Sequence, residues 1–342
     1  MEFPKSKIVL VGTLPPPIGG VSVHLNRFLL RSGEIACDLK ILDFKRAIVT
    51  SATKTIHGYR NVILAWAAAD VVHIHMSNNL KIAIALFSRI FAKKVIYTHH
   101  NNVVSNSFLF GLMYKTCNFV IFVNGKCIPA KILAIPVGKR KWDVIPAFIP
   151  PLDGESLPNG LSSRIKDYKV VISFNAYRRS FIGDGEVYGI DLVMELFKRL
   201  VCSKVIENFC FVFLDPSGTH GEQVTGSLAG LDCGAADFIY IKDDDVSFFS
   251  LLRESTLSIR ATRTDGDSLS IRESLSLGVP VIASDIVERP DGCVTFNSGD
   301  VDDLECKVLQ VLISPVVIDT SGQDFFKPVI ECYNGIIKGG LL

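Results

Sequence analysis

Short apolar runs, each closed by turn residues and followed by a stretch of helical period, recur along this chain, and that alternation fixes its class. Lys7-Ile-Val-Leu-Val11 reads as a buried strand, followed by a Pro/Gly loop and a helix from about Val21. Val71–His75, Val95–Tyr97 and Phe119–Val123 repeat the strand signal, with an amphipathic helix over Leu80–Phe91. Strands that alternate with helices build a parallel sheet covered on both faces. The series breaks at Ile145–Gly160, where Pro146, Pro150, Pro151 and Pro158 gather, and such a cluster reads as a linker. A second series follows, with strands at Val170–Phe174, Phe209–Leu214, Phe238–Ile241, Leu257–Ile259 and Val279–Ala283 and helices at Gly189–Leu200 and Ser268–Leu277. The expected fold is α/β: two doubly wound, Rossmann-like domains at residues 1–150 and 165–315, with a C-terminal segment, 316–342, packing back on domain one. Ligands of such sheets bind at the carboxyl ends of the strands. If those ends face each other, the ligand sits in an interdomain cleft.

Composition supports two domains. The 342 residues are 48% apolar and 21% charged, enough for two cores and unlike a disordered chain. The net charge of +1 hides an asymmetry: residues 1–150 hold 19 Lys+Arg against 6 Asp+Glu (+13), and the remainder 17 against 29 (−12). The basic half suits an anionic membrane or acceptor, although mutual attraction of the two domains also explains opposite signs. Nucleic acid is not expected, because the basic residues are dispersed and no stacking-aromatic motif accompanies them. Nine cysteines without a Cys-x-x-Cys pair suggest reduced thiols and a cytoplasmic setting. No secretory signal is read at Met1–Lys7. No membrane span is read either, since Asn61–Leu80 carries Asp70, His73 and His75, and Val103–Val123 carries Asn106 and Lys115.

Three regions offer chemistry. The loop Gly12-Thr-Leu-Pro-Pro-Pro-Ile-Gly-Gly20 precedes a helix, and paired glycines there let backbone N–H groups approach a phosphate. It is neither Gly-x-Gly-x-x-Gly nor a P-loop, and a tight turn explains it equally. Six of the seven histidines fall between His24 and His100. His73 and His75 share one side of a strand, and His99 and His100 end the next. Carboxylate partners are scarce there, so hydrogen bonding to a sugar or phosphate is expected rather than metal binding, with His73 also open to a plain core role. The most informative segment is Thr264-Asp-Gly-Asp-Ser-Leu-Ser-Ile-Arg-Glu-Ser-Leu-Ser-Leu-Gly-Val-Pro-Val-Ile-Ala-Ser-Asp285. It places Asp265 in a loop and Glu273 on the following helix, both able to accept hydrogen bonds from sugar or ribose hydroxyls. A first turn that is acidic only to suit the helix dipole is the alternative.

Asp265-x7-Glu273, followed by Ser-Leu-Ser-Leu-Gly-Val-Pro-Val-Ile-Ala-Ser, resembles the Glu-x7-Glu signature of family 4 retaining glycosyltransferases, which have the GT-B fold. Gly19-Gly20, Asp70-Val-Val-His-Ile-His75, Val95-Ile-Tyr-Thr-His-His100 and Tyr188-Gly-Ile-Asp191 extend the resemblance over most of the chain. It implies that Glu273 binds the donor ribose, Asp265 a donor-sugar hydroxyl and His100 the donor sugar. Gly19 and Gly20 would meet the diphosphate, and Asp267, Ser268 and Leu269 would complete the donor site. The substrate implied is a nucleoside diphosphate sugar, with no cofactor and no metal. The acceptor implied is a lipid-linked or other saccharide of surface-polysaccharide synthesis, met on the inner face of the cell membrane. Two departures stand out. Asp265 replaces the usual first Glu, and Tyr188 stands where a diphosphate-clamping Lys is expected, leaving Arg178 and Arg179 as substitutes. Asp243-Asp-Asp245 and Asp265-Gly-Asp267 look like the Asp-x-Asp metal motif of the other glycosyltransferase fold, but the first is read as a helix cap. A non-catalytic GT-B binding subunit and a sugar-nucleotide 2-epimerase are the rival readings.

Overall fold

The computed structural model describes residues 6–339 apart from residues 17, 18, 102, 103, 105, 153–155, 184, 244 and 245. The chain divides into two compact units, Met1–Leu152 with Asp324–Leu342, and Asp153–Gln323.

The first unit carries strands β1 (Lys7–Val11), β2 (Asp38–Asp43), β3 (Ile48–Thr50), β4 (Thr55–His57), β5 (Val71–Ile74), β6 (Lys94–His99), β7 (Phe119–Phe122) and β8 (Trp142–Val144). They form one sheet in the order β4-β3-β2-β1-β5-β6-β7-β8, parallel from β2 to β8. Helices α1 (Gly20–Leu30), α2 (Tyr59–Ala68), α3 (Leu80–Ile90), α4 (Ser107–Thr116) and α5 (Ala130–Leu133) connect the strands. Burial of both sheet faces is why these strands are unbroken apolar runs. Successive residues of β1 go to opposite cores: Ile8 and Leu10 pack with Leu25 and Phe28, while Val9 and Val11 pack with Val72 and Ile74. The antiparallel β3–β4 hairpin is absent from the sequence reading, because its three-residue strands are too short to show a period.

The second unit begins with α6 (Asn159–Lys166) and carries β9 (Val170–Asn175), β10 (Phe181–Ile182), β11 (Gly185–Glu186), β12 (Phe209–Leu214), β13 (Asp237–Ile241), β14 (Leu257–Arg260), β15 (Val281–Ser284) and β16 (Val294–Phe296). The main sheet runs β13-β12-β9-β14-β15-β16, with every neighbouring pair parallel. Helices α7 (Ile190–Ser203), α8 (Gly221–Leu228), α9 (Phe248–Leu252), α10 (Leu269–Ser276) and α11 (Val301–Ile313) cover it. One face is a phenylalanine core of Phe174, Phe197, Phe209, Phe211 and Phe213. The chain then returns to the first unit as α12 (Phe326–Ile337), whose Phe326, Val329, Cys332 and Tyr333 join the core of Leu25 and Phe28.

Candidate functional site

The carboxyl edge of the second sheet assembles the segment that the sequence singles out. β14 ends at Arg260, a loop carries Asp265 and Asp267, and α10 starts at Leu269 with Ser268 as its N-cap residue. Glu273 lies on the inner side of α10 at 4% exposure, beside the buried Ile271, Ser274 and Leu275. A 2.6 Å bond between the Ser274 and Ser258 hydroxyls pins α10 to β14. Ser268 is buried and its hydroxyl lies 3.0 Å from that of Ser270, while Asp267 accepts from Arg272 Nε at 2.8 Å.

Asp265 is more heavily engaged. Its Oδ2 accepts from Arg260 Nε at 3.1 Å and Arg289 Nη1 at 2.8 Å, and its Oδ1 from Arg260 Nη2 at 3.1 Å and the Gly266 N–H at 3.0 Å. A carboxylate offers about four lone-pair sites. Holding a sugar hydroxyl, the role the resemblance implies, would therefore need one of these bonds to open. Burial tends to raise the Asp265 carboxyl, but Arg260 and Arg289 outweigh it and hold it below the ordinary carboxylate value. Arg289 comes from the loop after β15 and spends its other nitrogens on the carbonyl and hydroxyl of Ser284. The Arg260 guanidinium also lies 5.3 Å from the centre of the Tyr188 ring. Tyr188, standing where a Lys is expected, thus covers an arginine.

Arg178 and Arg179 sit exposed on the loop after β9, the neighbour of β14. The Arg179 N–H donates to Thr219 Oγ1, and its guanidinium lies over Phe181. Arg263 is bound at both ends of its fork by Asp191, at 2.7 Å each. A buried network that sequence reasoning missed lies nearby in the chain's folding: His220 sits between Asp215 (Nδ1 to Oδ2, 3.0 Å) and Glu186 (Nε2 to Oε1, 3.4 Å). Glu186 also accepts from the Tyr188 and Ile190 N–H groups, which fastens the start of α7. Burial lowers the His220 pKa, yet Glu186 and Asp215 prevail and raise it above its ordinary value. No local spacing announces this triad, since Glu186 and His220 are 34 residues apart.

The first unit gathers the histidines. Gly19 precedes α1 and Gly20 opens it; both are exposed, and a Cβ at Gly20 would meet nothing within 4 Å. His75 Nδ1 and His100 Nε2 are 3.0 Å apart, and the His24 ring lies 5.4 Å from His75 and 5.7 Å from His100. His73 is satisfied on both nitrogens, by Tyr333 Oη at 2.6 Å and Thr98 Oγ1 at 2.7 Å, which is the core role the sequence leaves open. Burial lowers five of them: His24 and His99 to about 4, and His73, His75 and His100 well below the ordinary value. On α3, Ile82, Ile84 and Ala85 face the core. Phe87, Ile90 and the following Phe91 are 58%, 74% and 61% exposed. Lys93 is buried, and its ammonium turns inward to the carbonyls of Ala67 and Ala69. Asp244 and Asp245 of the acidic run lie outside the described residues.

No family model matches the chain, and no curated protein matches it in sequence. Solved structures do match in fold. A glycosyltransferase from Rickettsia africae ESF-5 superposes with a TM-score of 0.64 at 15% identity, over 99% of this chain and 100% of that one. HepE from Anabaena in complex with UDP gives 0.60 at 13% identity, over 98% and 99%. A putative UDP-N-acetylglucosamine 2-epimerase from Listeria monocytogenes gives 0.62 at 12% identity, over 98% and 97%. At these identities the likeness establishes the fold: two Rossmann-like α/β units of the GT-B type.

Proposed function

We propose that this protein is a retaining glycosyltransferase of the family 4 kind, moving a sugar from a nucleoside diphosphate sugar to an acceptor. The observation that carries the reading is Glu273, a carboxylate at 4% exposure on α10, eight residues after Asp265 and at the carboxyl edge of an all-parallel sheet. A buried carboxylate is a strong acceptor for ribose hydroxyls. The binding of UDP by a structural neighbour agrees with this role. His100 contacts the donor sugar, Gly19 and Gly20 approach the diphosphate, and Ser268 and Leu269 line the donor at the helix start. Arg178 and Arg179 contribute positive charge to the departing diphosphate, stabilising charge as it develops. No metal takes part in this reading. The leaving phosphate helps deprotonate the acceptor on the same face, so no covalent nucleophile is assigned.

The acceptor in this reading is a lipid-linked saccharide of O-antigen or capsule synthesis, met at an anionic membrane. Phe87, Ile90 and Phe91 form an exposed apolar strip on a half of the chain with a +13 balance, a combination suited to an anionic interface. No helix of the described residues is long and apolar enough to cross a membrane. The deciding experiment is a thermal-shift screen against nucleotide sugars, followed by assay of the hits for released nucleotide. A hit that stabilises the protein and is consumed with an acceptor supports the proposal. Stabilisation without nucleotide release favours a binding subunit, and conversion of the donor to its 2-epimer favours the epimerase fold neighbour's chemistry.

A further inference from the structure

The arginine pair on Asp265 gives the missing lysine a physical explanation. Arg289 is a brace: its side chain is 2% exposed and all three nitrogens are bound. Arg260 is different. Its side chain is 15% exposed, Asp265 engages Nε and Nη2, and Nη1 makes no hydrogen bond to the described residues. Two guanidinium groups against one carboxylate leave a net positive charge at the end of β14. The Tyr188 ring over Arg260 favours that charge, because a cation is drawn to an aromatic face. A lysine at the same place would bring a second cation against the first. The corner carrying Tyr188 is also fixed. Gly189 has φ +68°, and a Cβ there would stand 2.0 Å from the carbonyl oxygen of Ala261, so the chain runs directly against the end of β14.

We infer that Arg260 is the cation that meets a phosphate of the nucleoside diphosphate, and that Asp265 is a positioning residue that holds its fork with one edge free. The inference rests on the donor reading above and adds the residue that replaces the lysine. Arginine suits the task because it stays charged and presents paired N–H donors to oxyanions. Tyr188 and Arg260 then form one exchange: the aromatic ring takes the lysine's position and supports a cation delivered from the neighbouring strand.

The test is isothermal titration of wild type, Arg260→Ala, Asp265→Asn and Tyr188→Phe. The probes are the tightest-binding of UDP, GDP and ADP, its parent nucleoside, and inorganic pyrophosphate. Arg260→Ala is expected to weaken diphosphate binding at least tenfold while leaving nucleoside binding unchanged. Asp265→Asn is expected to weaken the diphosphate at least threefold, again sparing the nucleoside, and Tyr188→Phe to stay near wild type. Should Arg260→Ala melt below the assay temperature, Arg260→Lys is read instead, with a threefold loss expected. Full diphosphate affinity in the Arg260 variant overturns the inference and leaves the donor reading standing. Loss in Arg260→Ala without loss in Asp265→Asn overturns the positioning role. Wild type that binds pyrophosphate through Arg260 but no nucleotide keeps the anion site and removes the donor reading. Wild type that binds none of the probes overturns both.

Discussion

Acidification from pH 7 to pH 5 is expected to destabilise the first unit, and the buried histidine cluster drives the effect. His24, His73, His75, His99 and His100 are all held below the ordinary pKa of 6.5, first by burial and then by repulsion from one another and from Arg27 and Lys81. Well above pH 6.5 both folded and unfolded chains carry these rings neutral, and they cost nothing. Below it the unfolded chain takes up protons that the folded one refuses, so stability falls with falling pH. The loss continues to about pH 4, where folded His24 and His99 begin to titrate. Linkage gives roughly 2 kcal/mol for each of His24 and His99 between pH 7 and pH 5, and His73, His75 and His100 act in the same direction. Two such contributions, about 4 kcal/mol, are a large part of the stability of a typical domain, about 5–15 kcal/mol. Both tryptophans, Trp66 and Trp142, belong to the first unit, so urea denaturation followed by tryptophan fluorescence reads this unit alone. His99→Gln should flatten the acid slope by about 1.4 kcal/mol per pH unit. An unfolding free energy at pH 5 within about 2 kcal/mol of its pH 7 value would refute the neutral-cluster reasoning.

Other predictions address the proposed chemistry. Glu273→Gln should weaken donor binding and turnover together by about 1.5–3 kcal/mol, the worth of a hydrogen bond to a charged group; unchanged affinity and rate in donor titrations and steady-state assays would remove Glu273 from the site. Arg178→Ala or Arg179→Ala should lower turnover at least tenfold, about 1.4 kcal/mol, and full activity in both would place the diphosphate charge wholly on other cations. In flotation assays the protein should bind anionic vesicles at low salt and lose them at high salt. Phe87→Ser with Ile90→Ser should weaken that binding, and equal binding to neutral and anionic vesicles counts against an electrostatic contribution.

The alternation of apolar runs and helices made the fold class legible in the sequence. Strand and helix periods are local, and burial on both sheet faces leaves an unbroken apolar run as a plain mark. Lys7–Val11 and Phe209–Leu214 stand where the sequence places them, and the loop and helix that carry Asp265 and Glu273 are equally readable from spacing and turn residues. Partnership was not legible. Nothing in the sequence joins Asp265 to Arg289, His220 to Glu186, or His73 to Tyr333 260 residues away, and nothing says that Lys93 turns inward. A period of two or 3.6 residues states which face a side chain occupies, but not which distant loop arrives opposite it. The sequence by itself determined the layers and the candidate residues. Only the tertiary structure decided which charges meet, because ion pairs and buried hydrogen bonds depend on chain segments brought together by the packing of whole sheets and helices.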